Sequence, residues 1–111
     1  MTNLNRKSCK PCEGEVEPLS REEAGEYLKQ VDVEWKLSDD GKKIRREFVF
    51  NSFMDAIDFV NRAARIAEAE GHHPDMYVYF KKVVFELTTH AIGGLSQNDF
   101  ILAAKTDEIS A

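Results

Sequence analysis

Cysteine is scarce in this chain. Its 111 residues include two, Cys9 and Cys12, which excludes a disulfide framework. Long apolar runs are missing: none approaches the ~20 residues that cross a bilayer. No charged start followed by an apolar core marks a secretory signal, so the cytoplasm is the expected compartment and no membrane partner is expected. Basic excess is missing too. Fifteen Lys and Arg stand against 20 Asp and Glu, a net charge of -5 with an isoelectric point near 5.2. A sequence-independent nucleic-acid binder needs a basic face to neutralise phosphates, so no direct nucleic-acid partner is expected. The local basic cluster Lys42, Lys43, Arg45 and Arg46 reads as the solvated end of a hairpin. A phosphate loop, a nicotinamide fingerprint and a ligand-spaced metal motif are also absent.

What is present suits one packed domain. The chain is 42% hydrophobic, enough for an interior rather than disorder. Residues 1–18 are polar, carry Pro11, Gly14 and Pro18, and show no apolar period; they read as a mobile arm. It holds Cys9-Lys10-Pro11-Cys12. Such a pair can be half of a zinc site or a redox couple. A structural zinc needs two more ligands, and a redox centre belongs at a strand-to-helix junction, so an ordinary reduced pair is favoured.

Residues 19–111 form the domain. Ser20-Arg21-Glu22-Glu23 is a capping box opening a helix from about Arg21 to Gln30, with Ala24, Tyr27, Leu28 and Val31 as its buried stripe. Val33, Trp35 and Leu37 alternate with polar residues as a half-buried strand. Asp39-Asp40-Gly41 supplies a turn, and Ile44, Phe48 and Phe50 mark a second strand. Ser52 with Asp55 resembles another cap. A helix then runs from Phe53 to about Glu70, with Phe53, Ile57, Val60, Ala64 and Ala67 at spacings of three and four. Gly71 stands where the helix end wants a residue free to take positive φ. Two more strands follow, Met76–Phe80 and Val83–Thr88, with a turn at Lys81-Lys82. A glycine-rich loop and a last helix, capped by Ser96-Gln97-Asn98-Asp99 with Phe100, Ala103 and Ala104 among its apolar positions, complete the chain. The expected class is α+β in the order α-β-β-α-β-β-α: a four-stranded antiparallel sheet with three helices on one face. An exposed sheet face or edge strand favours association with further copies.

The chain has three histidines, His72, His73 and His90. The adjacent pair enters the third strand and His90 leaves the fourth. A hairpin sets the start of one strand beside the end of the other, so the three converge. Pro74 forbids a helical continuation and pushes His73 toward extended geometry. Three uses compete. A shared metal is disfavoured, because neighbours on an extended chain point to opposite sides. Purely structural capping suits a histidine at a helix C-terminus. The third use is a metal-free acid/base site, in which imidazoles move protons on a small organic ligand. Glu68, one helical turn before His72, is placed to orient an imidazole.

The order Glu68, His72-His73-Pro74, Phe80, His90, Asp99, with the Trp35 strand and Gly94-Leu95-Ser96, resembles the signature of the pterin-4a-carbinolamine dehydratase family, also known as the dimerisation cofactor of a homeodomain transcription factor. The likeness covers roughly Leu19 to Ile109. The cysteine-bearing arm lies outside that core and is similar to tails on some bacterial members. Met76 stands where many members carry tryptophan or another apolar residue. The resemblance implies the α+β fold and dehydration of 4a-hydroxytetrahydropterin to quinonoid dihydropterin, with no cofactor and no metal. It implies that His73 is the leading acid/base group and that His72 and His90 bind the pterin and assist. It implies that Gly71, Thr88, Thr89 and Ala91 line the pocket and that Glu68, Pro74 and Asp99 support it. It also implies a homodimer or homotetramer. The alternative function is a non-catalytic pterin-binding or protein-dimer-stabilising module.

Overall fold

A computed structural model describes residues 4–10 and 17–110. Its elements are α1 (Arg21–Leu28), β1 (Lys36–Leu37), β2 (Ile44–Val49), α2 (Phe53–Glu70), β3 (Asp75–Tyr79), β4 (Lys82–Leu87) and α3 (Gln97–Ser110), with 3-10 turns at Leu4–Arg6 and His90–Ile92. The strands form one antiparallel sheet in the order β1-β2-β4-β3. The helices pack on one face of it, which is the α+β arrangement expected. Among the described residues no helix is long and apolar enough to cross a membrane.

Local chemistry sets the helix ends. At α1 the Glu23 N–H donates to Ser20 Oγ at 3.1 Å and the Ser20 N–H donates to Glu23 Oε1 at 2.8 Å, closing the capping box. At α2 the Asp55 N–H donates to Ser52 Oγ at 3.0 Å. α2 ends at Gly71, whose φ of +66° carries little penalty without a Cβ.

The core lies between the helices and one sheet face, where Ile44, Phe48, Val83, Phe85 and Leu87 are buried. The stripe that α2 turns toward it differs from expectation. Ala56, Phe59, Ala63 and Ala67 are buried, whereas Phe53 and Ala64 are exposed. Both sets have helical spacing. The alanine side lets the helix backbone approach the sheet, so that Phe59 reaches Phe48 with 4.6 Å between ring centroids. Trp35 meets Phe48 and Phe85 edge to face, contacts worth about 0.5–1.5 kcal/mol each beyond burial. α3 is buried without a break from Asn98 to Ala103, because it is enclosed by α1, α2 and the N-terminal segment. Tyr27 of α1 stacks on its Phe100 at 5.1 Å.

Several expectations are corrected. β1 is two residues long, Lys36–Leu37, and Val33 is 81% exposed. An Asp32 turn replaces the start of the strand. The Glu34 N–H donates to Asp32 Oδ1 at 2.9 Å, a local bond that competes with the ladder. Arg46 is not part of a solvated hairpin end. Its guanidinium donates to Asp107 Oδ1 at 2.6 Å and lies 4.3 Å over the Phe48 ring. Asp107 also accepts from Trp35 Nε1 at 2.8 Å. Burial still pushes its carboxyl above the usual range, outweighing these donors. The second hairpin turns at Phe80-Lys81, since Tyr79 pairs with Lys82. Phe80 takes a φ of +52° there, as a two-residue turn demands.

The described part of the N-terminal arm is docked. Leu4 is 1% exposed within the core, and Lys105 Nζ donates to Asn5 O at 3.0 Å. Residues 4–10 therefore belong to the folded body. Cys12, and with it the CxxC pair as a unit, lies outside the described residues.

Candidate functional site

The site is built where α2 ends and β4 runs out. After Gly71 the chain reverses, and the His72 N–H donates to Ala67 O at 3.1 Å. Pro74 follows, and β3 begins at Asp75, paired with Glu86 of β4. Continuing that antiparallel register sets His73 level with Thr88 and His72 level with Thr89. The convergence expected from the hairpin is therefore the geometry found. Gly71, His72, His73, Thr88, Thr89, His90 and Ala91 all border one cavity of about 460 Å³, a size suited to a small organic ligand.

The adjacent imidazoles occupy different surroundings. His72 Nε2 lies 2.6 Å from Asp99 Oδ1, with 11% of the histidine side chain and none of the aspartate side chain exposed. An ionised carboxylate only accepts, so the Nε2–H donates and Nδ1 is the ring nitrogen left over. Asp99 Oδ2 accepts from Thr89 Oγ1 at 2.8 Å and from the Ser96 N–H at 3.0 Å. The Thr89 hydroxyl has one proton and gives it to Asp99, so the Ser96 hydroxyl, 2.8 Å away, donates to Thr89. This ordered relay fixes the carboxylate, and the carboxylate fixes the ring.

His73 faces the other way. Its Nε2 donates to Glu68 Oε1 at 2.7 Å, with 62% of the histidine side chain and 81% of the glutamate side chain exposed. Glu68 thus orients His73 rather than its neighbour. The opposite directions of the two rings follow from extended geometry after the helix. His90 sits in the 3-10 turn, exposed, on the same cavity. That turn is closed by Gly93 at φ +70° and by the Thr89 N–H donating to Gly94 O at 2.9 Å. A Cβ on Gly94 would meet Pro18 Cβ at 2.7 Å, so the loop needs glycine to close against the chain entering α1. Among the described residues no group of three or more His, Cys, Asp and Glu is arranged to hold a metal ion.

Asp99 and Glu68 support the imidazoles without bordering the cavity. Four bordering residues were not expected in the site: Cys9 and Lys10, read only as part of an ordinary reduced cysteine pair, and Glu70 and Asn98. Asn98 and Glu70 flank residues already singled out, Asp99 and Gly71, and that adjacency is the one hint the sequence offers. Burial pushes the Cys9 thiol up to about 12, with the nearby Glu70 and Asp99 carboxylates adding to the effect.

Comparison with known proteins identifies the family. The model of the pterin 4 alpha carbinolamine dehydratase family matches residues 17–109. A protein of Halorhodospira halophila, provisionally named a pterin-4-alpha-carbinolamine dehydratase, is 47% identical over 98% of this chain and 99% of its own length. One of Nitrosomonas eutropha with the same provisional name is 50% identical over 96% of each chain. A crystal structure from Brucella melitensis, described as a transcriptional coactivator/pterin dehydratase, superimposes with a TM-score of 0.80 at 32% identity, covering 85% of this chain and 99% of that one. The chain belongs to the pterin 4 alpha carbinolamine dehydratase family. A more distant likeness, to a pterin dehydratase-like protein described as a RuBisCO assembly factor, has a TM-score of 0.61 at 20% identity and speaks to the fold alone.

Proposed function

We propose that the protein dehydrates 4a-hydroxytetrahydropterin to the quinonoid dihydropterin by histidine acid/base catalysis, as a step in tetrahydrobiopterin recycling. The observation that carries this reading is the meeting of three imidazoles on one cavity, one of them locked by a buried carboxylate. Loss of water from a carbinolamine needs a proton delivered to the departing hydroxyl and one removed from a ring nitrogen. No electrons are exchanged. Imidazole does both near neutral pH, typically for ~10²–10⁴-fold per positioned group. His73, the more exposed of the adjacent pair and free to exchange protons with solvent, is the principal acid/base group. His72, held in one orientation by Asp99, binds and aligns the pterin, and His90 assists from the opposite strand end. Thr88, Thr89, Gly71 and Ala91 complete the wall. The proposed reaction draws on these side chains alone, without cofactor or metal, in the cytoplasm.

The test is stopped-flow decay of 4a-hydroxytetrahydropterin with and without the protein. Acceleration over the spontaneous rate is expected; an unchanged rate overturns the reading. A second reading, a pterin-binding or dimer-stabilising module, draws on the coactivator description of the Brucella protein. In that case His73→Ala keeps its partner and no turnover depends on it. We also propose a homodimer or homotetramer. Among the described residues the outer edge of β3 is unpaired, and Tyr79 in it and Phe80 after it are 59% and 67% exposed. Such an edge invites pairing with another chain. Light scattering that finds only monomer at micromolar concentration removes the proposal.

A further inference from the structure

The family model's match begins at residue 17, yet residues 9 and 10 border the cavity. Their attachment is specific. The Lys10 N–H donates to Asn98 Oδ1 at 3.0 Å, and Asn98 Nδ2 donates back to Lys10 O at 2.5 Å. One side-chain amide thus pairs with both polar groups of one peptide residue, as a neighbouring strand would. The Cys9 N–H donates to Glu70 Oε1 at 2.7 Å. The two holding residues are the immediate neighbours of Asp99, which fixes His72, and of Gly71, which turns the chain into His72. The segment is therefore tied to both helix ends that carry the site.

Further back it is anchored along α3. Asn5 touches Glu108 and Lys105 near the helix C-terminus, whereas Lys10 meets Asn98 near its N-terminus. The helix between Asn98 and Glu108 is about 15 Å long. The segment therefore runs along α3 from its C-terminal to its N-terminal end, and Leu4, buried at 1% exposure, pins its far end. Lys105 Nζ joins the two anchorages, lying 3.0 Å from Asn5 O and 3.6 Å from Glu70 Oε2.

We propose that Cys9-Lys10 is a wall of the substrate cavity, and that Asn98 is a positioning residue which sets substrate affinity by latching that wall. This rests on the dehydratase reading of the same cavity. The wall makes no proton transfer and faces substrate before and during the reaction alike. Such uniform contacts appear in KM and leave kcat alone. The Cys9 thiol, kept protonated by its surroundings, is a neutral lining group there rather than a nucleophile.

The experiment compares wild type, Asn98→Ala and Lys10→Pro in the full-length chain by stopped flow with 4a-hydroxytetrahydropterin, with thermal unfolding recorded alongside. Asn98→Ala removes both bonds of the latch. Lys10→Pro removes one of them from the other partner, without touching α3. The expected result is a KM raised roughly tenfold in Asn98→Ala, and less in Lys10→Pro, with kcat within about twofold. An unchanged KM in both folded variants overturns the wall while leaving the dehydratase reading intact. If Asn98→Ala unfolds, Lys10→Pro alone decides. A wild-type protein that does not turn over the pterin removes both proposals together.

Discussion

His72 and His73 are neighbours in sequence and each holds a carboxylate, yet the two pairs belong to different regions of the molecule. The inner pair, His72 with Asp99, lies at the buried start of α3, where Thr89 and the Ser96 N–H brace the carboxylate. The outer pair, His73 with Glu68, stands in solvent at nearly the same separation, 2.7 Å against 2.6 Å. Equal distances do not mean equal energies. In the interior, removing one partner strands a buried polar group, at a cost of several kcal/mol when it is charged. At the surface, water and salt screen the pair to about 0–1 kcal/mol. The difference suits a division of labour: a rigid imidazole to hold a ligand and an accessible one to exchange protons with it.

The largest effect that tests this contrast is on turnover. His73→Ala is expected to fold normally and to lose about 10²–10⁴-fold in kcat. His72→Ala is expected to lose more in KM than in kcat. A reversed pattern in steady-state kinetics would exchange their roles.

The next effect reads the inner region through Cys9, whose pKa is raised from 9.0 to about 12 by burial and then by Glu70 and Asp99. At pH 8 its thiolate population is lower by roughly a thousandfold than that of an ordinary thiol. Alkylation of Cys9, followed by mass spectrometry against pH, is expected to be slower in proportion. The linkage has a definite sign. A raised pKa keeps the folded chain protonated where the unfolded chain ionises. This contribution to stability is intact below pH 9 and is lost as pH climbs toward 12. Alkylation at the rate of a free thiol would show that the inner region is open.

Asp99→Ala comes third, with an expected loss of about 3 kcal/mol in denaturant unfolding. It orphans the Thr89 hydroxyl and the Ser96 N–H as well as His72. Glu68→Gln is the matching change outside and the smallest. It is expected to shift stability by less than about 0.5 kcal/mol while altering kcat severalfold through the orientation of His73. Equal stability losses in Asp99→Ala and Glu68→Gln would abolish the distinction between the regions.

Much of the frame was legible because it is local. Ser20 with Glu23, Ser52 with Asp55, and Gly71 act within one turn of chain, and α1 and α2 begin and α2 ends where they indicate. The meeting of the histidines was legible because a hairpin fixes which strand ends are neighbours. The buried side of α2 was not. Phe53-Ile57-Val60 and Ala56-Phe59-Ala63 are both apolar at helical spacing, and only the sheet's shape selects the alanines. The start of β1 failed for a similar reason: Val33 alternates correctly, but the Asp32 side chain and its backbone bond to Asp107 claim that stretch for a turn. The docking of residues 4–10 had no periodic signal, since it rests on single contacts with residues about 60 to 100 positions away.

By itself the sequence determined the order of elements, the turns and caps, and which three imidazoles meet, because caps, alternation and hairpin closure are short-range constraints on the backbone. Tertiary structure decided which carboxylate each imidazole meets. Asp99 reaches His72 across 27 residues, and its burial comes from the first half of α3 being enclosed by the elements around it. Glu68 is left to His73 because that ring points to the open side of the same extended segment. The depth of a charge depends on everything packed around it, and no local pattern encodes that depth.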